Sequence, residues 1–245
     1  MMQVICFYWE GDRWTPTEGN SKLYGNLIDR VGTCDTKLAS QYVNNLFRGV
    51  TNFADREFEF TCFTNEPLEV DAGVIIKPFP MVSTMGVLPR MYMFSEASGL
   101  FGKQVLCIDI DVIVCGALKS LMDYKGRFCA RSKFKSGKEY KLDGDVMSFQ
   151  AGPENEEVFW KPFLDDKEMV EKISNGRERY WVRHVANAWA DRWDIIAPGA
   201  VLSYKWHINH GRIKRMTNAS LVSCHGHPRP HQLPEGKMKE LWNGE

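Results

Sequence analysis

The run Val105-Leu106-Cys107-Ile108-Asp109-Ile110-Asp111-Val112-Ile113-Val114-Cys115-Gly116 constrains this chain more than any other stretch. Apart from its two acids it is apolar and rich in β-branched residues, and it closes on a glycine. That is the signature of a strand buried on both faces. As one strand over residues 105–114, it directs Asp109 and Asp111 to one face and Ile110 to the other, because strand side chains alternate. Two carboxylates on one buried face repel each other and lose hydration, so they need a proton or a compensating cation. A hard divalent ion such as Mn²⁺ or Mg²⁺ resolves that conflict through oxygen ligands and keeps positions open for phosphate oxygens. The spacing therefore points to a metal–diphosphate site at a sheet edge. D-x-D is a common tripeptide, and on an exposed turn it would carry no chemistry. The apolar flanks supply the weight here.

The remaining patterning places that run in an α/β chain. Residues 3–9 form an apolar, aromatic strand, followed by a polar loop over 10–21. Leu38, Tyr42, Val43, Leu46, Phe47 and Val50 fall on one stripe and predict a helix over 36–50. Residues 58–63 alternate as a second strand, broken by Thr64-Asn65-Glu66-Pro67, and 73–79 form a third. Residues 89–101 carry a helical stripe of Met91, Phe94, Ala97 and Leu100. Strand–helix–strand–strand–helix–strand predicts a mostly parallel central sheet flanked by helices, whose ligands gather beyond the carboxyl ends of the strands. Trp9, Asn65 and Asp111 all fall at such ends. Tyr8, Trp9 and Trp14 could stack on a nucleobase there or cover the core edge. In the second half, short strands are expected over 127–130, 146–149, 195–197, 201–204 and 220–224. Helices are expected over 156–164, 166–173 and 179–193.

At 245 residues a single domain is expected over 1–245, with a nucleotide-binding half over 1–116 and an acceptor half over 117–245. Formal net charge is zero, which gives no electrostatic case for nucleic acid. A local basic excess runs from Arg177 to Arg215, through Arg179, Arg183, Arg192, Lys205, Arg212 and Lys214. Such a run reads first as a solvated face and otherwise as a phosphate or anionic-acceptor surface. The seven cysteines lack any C-x-x-C pair, and their odd, scattered placement favours a reducing compartment. With no basic leader at the first residues and no apolar run of membrane-spanning length, a cytoplasmic protein without a transmembrane segment is expected.

Several stretches, in order, resemble the GT-A-fold glycosyltransferases, in the broad group of glycogenin and the bacterial lipooligosaccharide galactosyltransferases. The pattern is nearest to small bacterial and phage members. The matching pieces are residues 4–9, 60–67 (F-T-C-F-T-N-E-P), 88–94, 106–116 (L-C-I-D-I-D-V-I-V-C-G), 143–149 (D-G-D-V-M-S-F), 203–207 (S-Y-K-W-H) and 225–230 (H-G-H-P-R-P). The combination of D-x-D with the late H-G-x-P-[KR]-P carries the specificity.

The resemblance implies a GT-A, Rossmann-like fold and a metal-dependent transfer of a sugar from a nucleotide-sugar donor, most often a UDP-sugar. The acceptor would be a carbohydrate or other hydroxyl, and the outcome retention. It implies that Asp109, Asp111 and His225 hold Mn²⁺ (or Mg²⁺), which bridges the donor diphosphate. Arg90 and Arg229 would face that diphosphate, with Tyr8, Trp9, Asn65, Ile110 and Gly226 completing the donor site. The chain departs from the family on the acceptor side. Asp143-Gly144 stands where Asn-Ser is usual, and Gly176-Arg177-Glu178 where Gly-Asp-Gln is usual. Asp143 or Asp145 is then a candidate for binding donor-sugar hydroxyls, and Glu178 a candidate near the anomeric carbon. Two other readings remain: a non-catalytic nucleotide-sugar binder of the same fold, and a sugar nucleotidyltransferase. The second is disfavoured because residues 10–21 contain no G-x-G phosphate loop.

Overall fold

The computed structural model describes residues 1–9, 36–80, 86–134, 141–211 and 217–244. Trp14 with the loop 10–21, Cys34, and Arg212, Lys214 and Arg215 of the basic run lie outside the described residues. A seven-stranded sheet runs in the order β3–β2–β1–β4–β7–β6–β8. Its strands are β1 (Met2–Phe7), β2 (Phe58–Phe63), β3 (Val74–Lys77), β4 (Gln104–Ile108), β6 (Phe128–Ser132), β7 (Leu142–Gln150) and β8 (Asp191–Arg192). The first four are mutually parallel; β7 runs antiparallel to both β4 and β6, and β8 is parallel to β6.

Alternation within the strands divides the core. Ile5, Phe7, Val105 and Cys107 face one layer, and Val4, Cys6, Leu106 and Ile108 the other. The second layer receives α1 (Thr36–Phe53), through Val43, Leu46 and Val50 of the expected stripe together with Ala39. The first receives α2 (Lys167–Ser174) and α3 (Glu178–Ala186) through Val170, Trp181 and Val182. Each such apolar side chain taken fully from water contributes about 1.5–3 kcal/mol.

Four sequence expectations are corrected. The run over 105–114 is two strands in two sheets. After β4 the chain turns, with Val112 N donating to Asp109 O at 3.0 Å. It then continues as β5 (Val112–Val114) in a second sheet, β5–β10–β9, with β9 (Val201–Ser203) and β10 (Leu221–Ser223). Residues 89–101 form tight 3₁₀ turns at Leu88–Phe94 and Glu96–Ser98, interrupted at Ser95, which is extended at φ −81° and ψ 150°. All seven residues of the first turn are buried, so its apolar positions serve burial on every side and not one helical face. Residues 195 and 196 belong to a helical turn over Trp193–Ile196, and Ala197 caps it through its N–H to Trp193 O. The helix expected over 179–193 starts at Glu178 and stops at Ala186, with β8 following it.

A terminal helix, α4 (Lys237–Asn243), was not anticipated; its Trp242 packs on Tyr42 of α1 with ring centroids 5.5 Å apart. Among the described residues no helix is long and apolar enough to cross a membrane.

Candidate active site

Antiparallel insertion of β7 determines what meets Asp109. Because Ile108 pairs with Val146, the start of β7 and the end of β6 lie at the carboxyl edge of β4. Asp109 N donates to Asp145 O at 2.9 Å, extending the ladder by one residue. Asp109, Asp111, Asp143, Asp145 and Arg131 thus share one sheet edge, where ligands collect in folds of this kind.

The second sheet delivers His225. Val112 pairs with Ser223, which sets Asp111 opposite Cys224, whose N–H donates to Asp111 O at 3.1 Å. His225 follows directly. It is stacked on Phe134 at 5.7 Å, and its Nε2 shares a hydrogen bond of 2.8 Å with Ser203 Oγ at the end of β9. Burial, then the charge of Arg131, holds its imidazole below the usual histidine range. Gly226 has φ +88°, the left-handed conformation that glycine adopts without steric cost; there the chain turns toward Arg229.

Both acids of the D-x-D are gripped by arginines. Arg90, 6% exposed, reaches Asp109 Oδ1 at 2.8 Å and Glu178 Oε1 at 2.9 Å through Nη1. Its Nη2 donates to Gly144 O and Cys107 Sγ, each at 3.3 Å. A guanidinium taken from water needs such full pairing. Burial alone would lower the Arg90 pKa, but Asp109 and Glu178 outweigh it and raise it well above the usual value. Asp111 pairs with Arg229. The turn at 109–111 explains the separation, since it gives each carboxylate its own cation where a straight strand would stack them on one face. Burial nevertheless lifts the Asp109 carboxyl well above the ordinary range; Arg90 opposes this, and Asp111, Glu178 and Asp145 add to it.

A second acid pair lies on β7. Asp145 is paired with Arg131, and Asp143 is shared by Arg131 at 3.5 Å, Arg179 at 3.4 Å and Arg183 at 3.7 Å. Burial favours the protonated form of Asp143, but Arg131, Arg179, Arg183 and Lys133 prevail and depress its pKa. Arg177, Arg179 and Arg183 were read first as a solvated face, yet all three guanidiniums lie within 5.5 Å of the Tyr180 ring centroid and two of them hold Asp143. The sequence assigns no site role to Arg131, or to Ser203 within the matching piece 203–207. For Arg131 a signal existed: an arginine that directly continues the apolar run Phe128-Cys129-Ala130.

The other expected residues are placed as follows. Glu178, 4% exposed, begins α3 beneath Gly144, where a Cβ would lie 2.5 Å from Glu178 Oε1. Burial lifts its carboxyl above the ordinary range, with Arg90 opposing. Tyr8 is buried and Trp9 packs edge-on to Phe79 at 5.8 Å. Asn65 uses its amide to clamp Phe79, donating to its carbonyl at 2.9 Å and accepting from its N–H at 3.2 Å. Ile110 packs between two core clusters. Among the described residues no three His, Cys, Asp or Glu side chains are gathered as a metal site: Asp111 is engaged by Arg229 and His225 by Ser203.

No protein-family model matches the chain, and no curated protein matches it. Solved structures do. The glycosyltransferase GlyE of Streptococcus pneumoniae TIGR4 aligns over 99% of this chain with a TM-score of 0.59 at 12% identity, and this chain covers 60% of that one. The galactosyltransferase LgtC, solved with donor and acceptor sugar analogues, aligns over 98% with a TM-score of 0.60 at 11% identity, and 95% of that chain is covered. Mouse xyloside xylosyltransferase 1 aligns over 91% with a TM-score of 0.50 at 8% identity. The chain therefore has a glycosyltransferase-like fold of the GT-A type, a mixed, mostly parallel sheet flanked by helices.

Proposed function

From that fold and edge we propose that the protein is a glycosyltransferase, moving a sugar with retention from a UDP-sugar donor to a hydroxyl acceptor. The observation that carries this reading is the placement of Asp109 and Asp111 in a turn at the carboxyl edge of the sheet, with the backbone of Cys224, next to His225, bonded to Asp111 by way of the second sheet. Two carboxylates and an imidazole are a donor set suited to Mn²⁺ or Mg²⁺. Asp109, Asp111 and His225 would hold the ion, which when bound supplies Lewis-acid neutralisation of the departing diphosphate.

The chain's own residues supply the rest. Arg229 is positioned to exchange the Asp111 carboxylate for phosphate oxygens, a contact for which guanidinium geometry is well matched. Arg90, pinned from below by Glu178, fixes the orientation of Asp109. Tyr8, Trp9 and Asn65, at the ends of β1 and β2, would contact the nucleoside, and Ile110 and Gly226 would border the diphosphate. Asp143 and Asp145 would bind donor-sugar hydroxyls, and Glu178 would serve as a positioning residue through Arg90. Holding donor and acceptor in register, and stabilising the leaving group, are the main catalytic terms.

A non-catalytic nucleotide-sugar binder is the second reading, favoured by the arginine that already occupies Asp111. Calorimetric UDP titration with and without Mn²⁺, on the native chain and on Asp111→Ala, tests the site. Metal-dependent binding abolished by the substitution is expected, whereas binding indifferent to metal and to Asp111 would sink the proposal. Hydrolysis of a UDP-sugar by the native chain separates the enzyme from the binder.

A further inference from the structure

A cleft of about 510 Å³ opens between α3 and the residues that follow β6 and precede β7, lined by Arg183, an ion-pair partner of Asp143. Its walls include Lys133, Lys141, Tyr180, Arg183 and Asn187, and none of Asp109, Asp111, His225 or Arg229 lines it. Backbone pairing of Lys133 N to Lys141 O at 2.8 Å sets the two lysines on one rim. Tyr180 and Arg183, three residues apart on α3, form the facing wall. Arg177 donates to Tyr180 Oη at 2.8 Å, and Arg179 and Arg183 lie 5.5 and 5.0 Å from the same ring.

Among the described residues, the arginines at this wall outnumber the acids that hold them. Asp143 serves Arg131, Arg179 and Arg183 at once, and Asp145 is turned to Arg131. The crowding is felt by Lys133, Arg183 and Tyr180. Burial, then Arg183, lowers the Lys133 ammonium, and burial together with Arg179 and Arg131 lowers Arg183 despite Asp143. Burial pushes the Tyr180 hydroxyl up, but Arg177, Arg179 and Lys133 overcome it and bring it below the usual phenol range. An oxyanion entering the cleft relieves that repulsion and gains charge-assisted hydrogen bonds.

We propose that this cleft binds an oxyanion carried by the acceptor, a phosphoryl or carboxylate group on a small carbohydrate. The assignment to the acceptor rests on the sugar-transfer reading above, because Arg183 touches both the cleft and Asp143 and so joins this wall to the donor-sugar side. A sugar bearing one anionic substituent would seat that group among Lys133, Lys141 and Arg183 while a hydroxyl reaches toward the sheet edge.

Calorimetric titrations with glucose 6-phosphate, glucuronate and glucose, on the native chain and on Lys133→Gln/Lys141→Gln, test it. Both lysines sit on the rim, so the double variant should keep its native melting temperature and its UDP affinity. The anionic sugars should bind at least about tenfold more tightly than glucose, more weakly at raised salt, and roughly tenfold or more weakly in the double variant. A preference for glucose 6-phosphate identifies a phosphoryl group, and a preference for glucuronate a carboxylate. Equal binding of glucose, or indifference to the double substitution, overturns the proposal. Displacement of glucose 6-phosphate by UDP also overturns it, by giving the cleft to the donor diphosphate. Retained UDP binding with no anion binding removes the cleft alone. Anion binding without any UDP binding instead removes the sugar-transfer reading, and with it the acceptor assignment.

Discussion

Arg229 holds the carboxylate of Asp111 across 118 positions of sequence. In the proposed reading, the guanidinium would compete with a divalent cation for the same carboxylate. Removing it should therefore have opposite effects on two ligands. Arg229→Gln is expected to bind Mn²⁺ alone more tightly than the native chain, because Asp111 is released. It should bind UDP in the presence of Mn²⁺ roughly tenfold more weakly, because a charge-assisted phosphate contact is lost. Titrations of Mn²⁺ and of UDP on the two proteins check both signs, and a parallel change in the two affinities would contradict the exchange.

Phe94 anchors the buried turn that carries Arg90. It is 1% exposed, stacked on Phe159 at 4.3 Å and within 4.8 Å of Phe149. Phe94→Ala should cost about 3–5 kcal/mol through lost transfer energy and the cavity left behind. Phe94→Leu should cost a fraction of that. Urea unfolding measures both, and a loss below 1.5 kcal/mol for the alanine variant, taken as roughly half the lower bound, would mean the aromatic cluster repacks.

Local patterning made the sheet edge legible, and long-range pairing hid the rest. Residues 58–63 alternate cleanly and form β2 with those bounds. The α1 stripe is likewise continuous. The run 105–114 looks the same whether it is one buried strand or two, since both of its parts are enclosed. Only pairing of β5 with residues more than a hundred positions away reveals the turn at Asp109–Asp111. The acids of the site stood out because carboxylates in apolar strands are costly. Their arginine partners did not, because a basic run carries no information about which members face inward. Arg179 and Arg183 meet Asp143 only after α3 docks on β7.

Glu178 and Asp143 should respond to pH with opposite signs. Burial lifts the Glu178 carboxyl above its ordinary 4.5, with Arg90 opposing. Between that value and the raised one, the native chain keeps a proton that the unfolded chain has released, so stability falls as pH rises through the window. Asp143 is also pushed upward by burial, but its arginines and Lys133 hold it below 3.8. Its contribution is full above the ordinary value and is lost as pH drops through the depressed one. Denaturant unfolding across this range should show Glu178→Gln flattening the falling limb and Asp143→Asn the acid-side rise. Profiles identical to the native one in both variants would refute the assignment.

Gly144 and Glu178 are sterically coupled. A Cβ at Gly144 would stand 2.5 Å from Glu178 Oε1 and 3.7 Å from Arg179 Cβ, so any larger residue must displace the carboxylate that supports Arg90. Gly144→Ala should destabilise the fold by about 1–3 kcal/mol, the range typical of overpacking. Glu178→Ala should also destabilise it, since Arg90 would keep only Asp109 as a charged partner. Combining them removes the clash at its source, because the shortened side chain at 178 has no oxygen for the new methyl to meet. The double variant should therefore be more stable than the sum of the single losses predicts, by more than about 0.5 kcal/mol. Strict additivity in urea unfolding would show that the chain yields elsewhere and that Gly144 is not required by Glu178. The same cycle read out as UDP affinity tests the wider argument. If Glu178 acts through Arg90 on Asp109, both single variants should weaken metal-dependent UDP binding although neither residue touches the nucleotide.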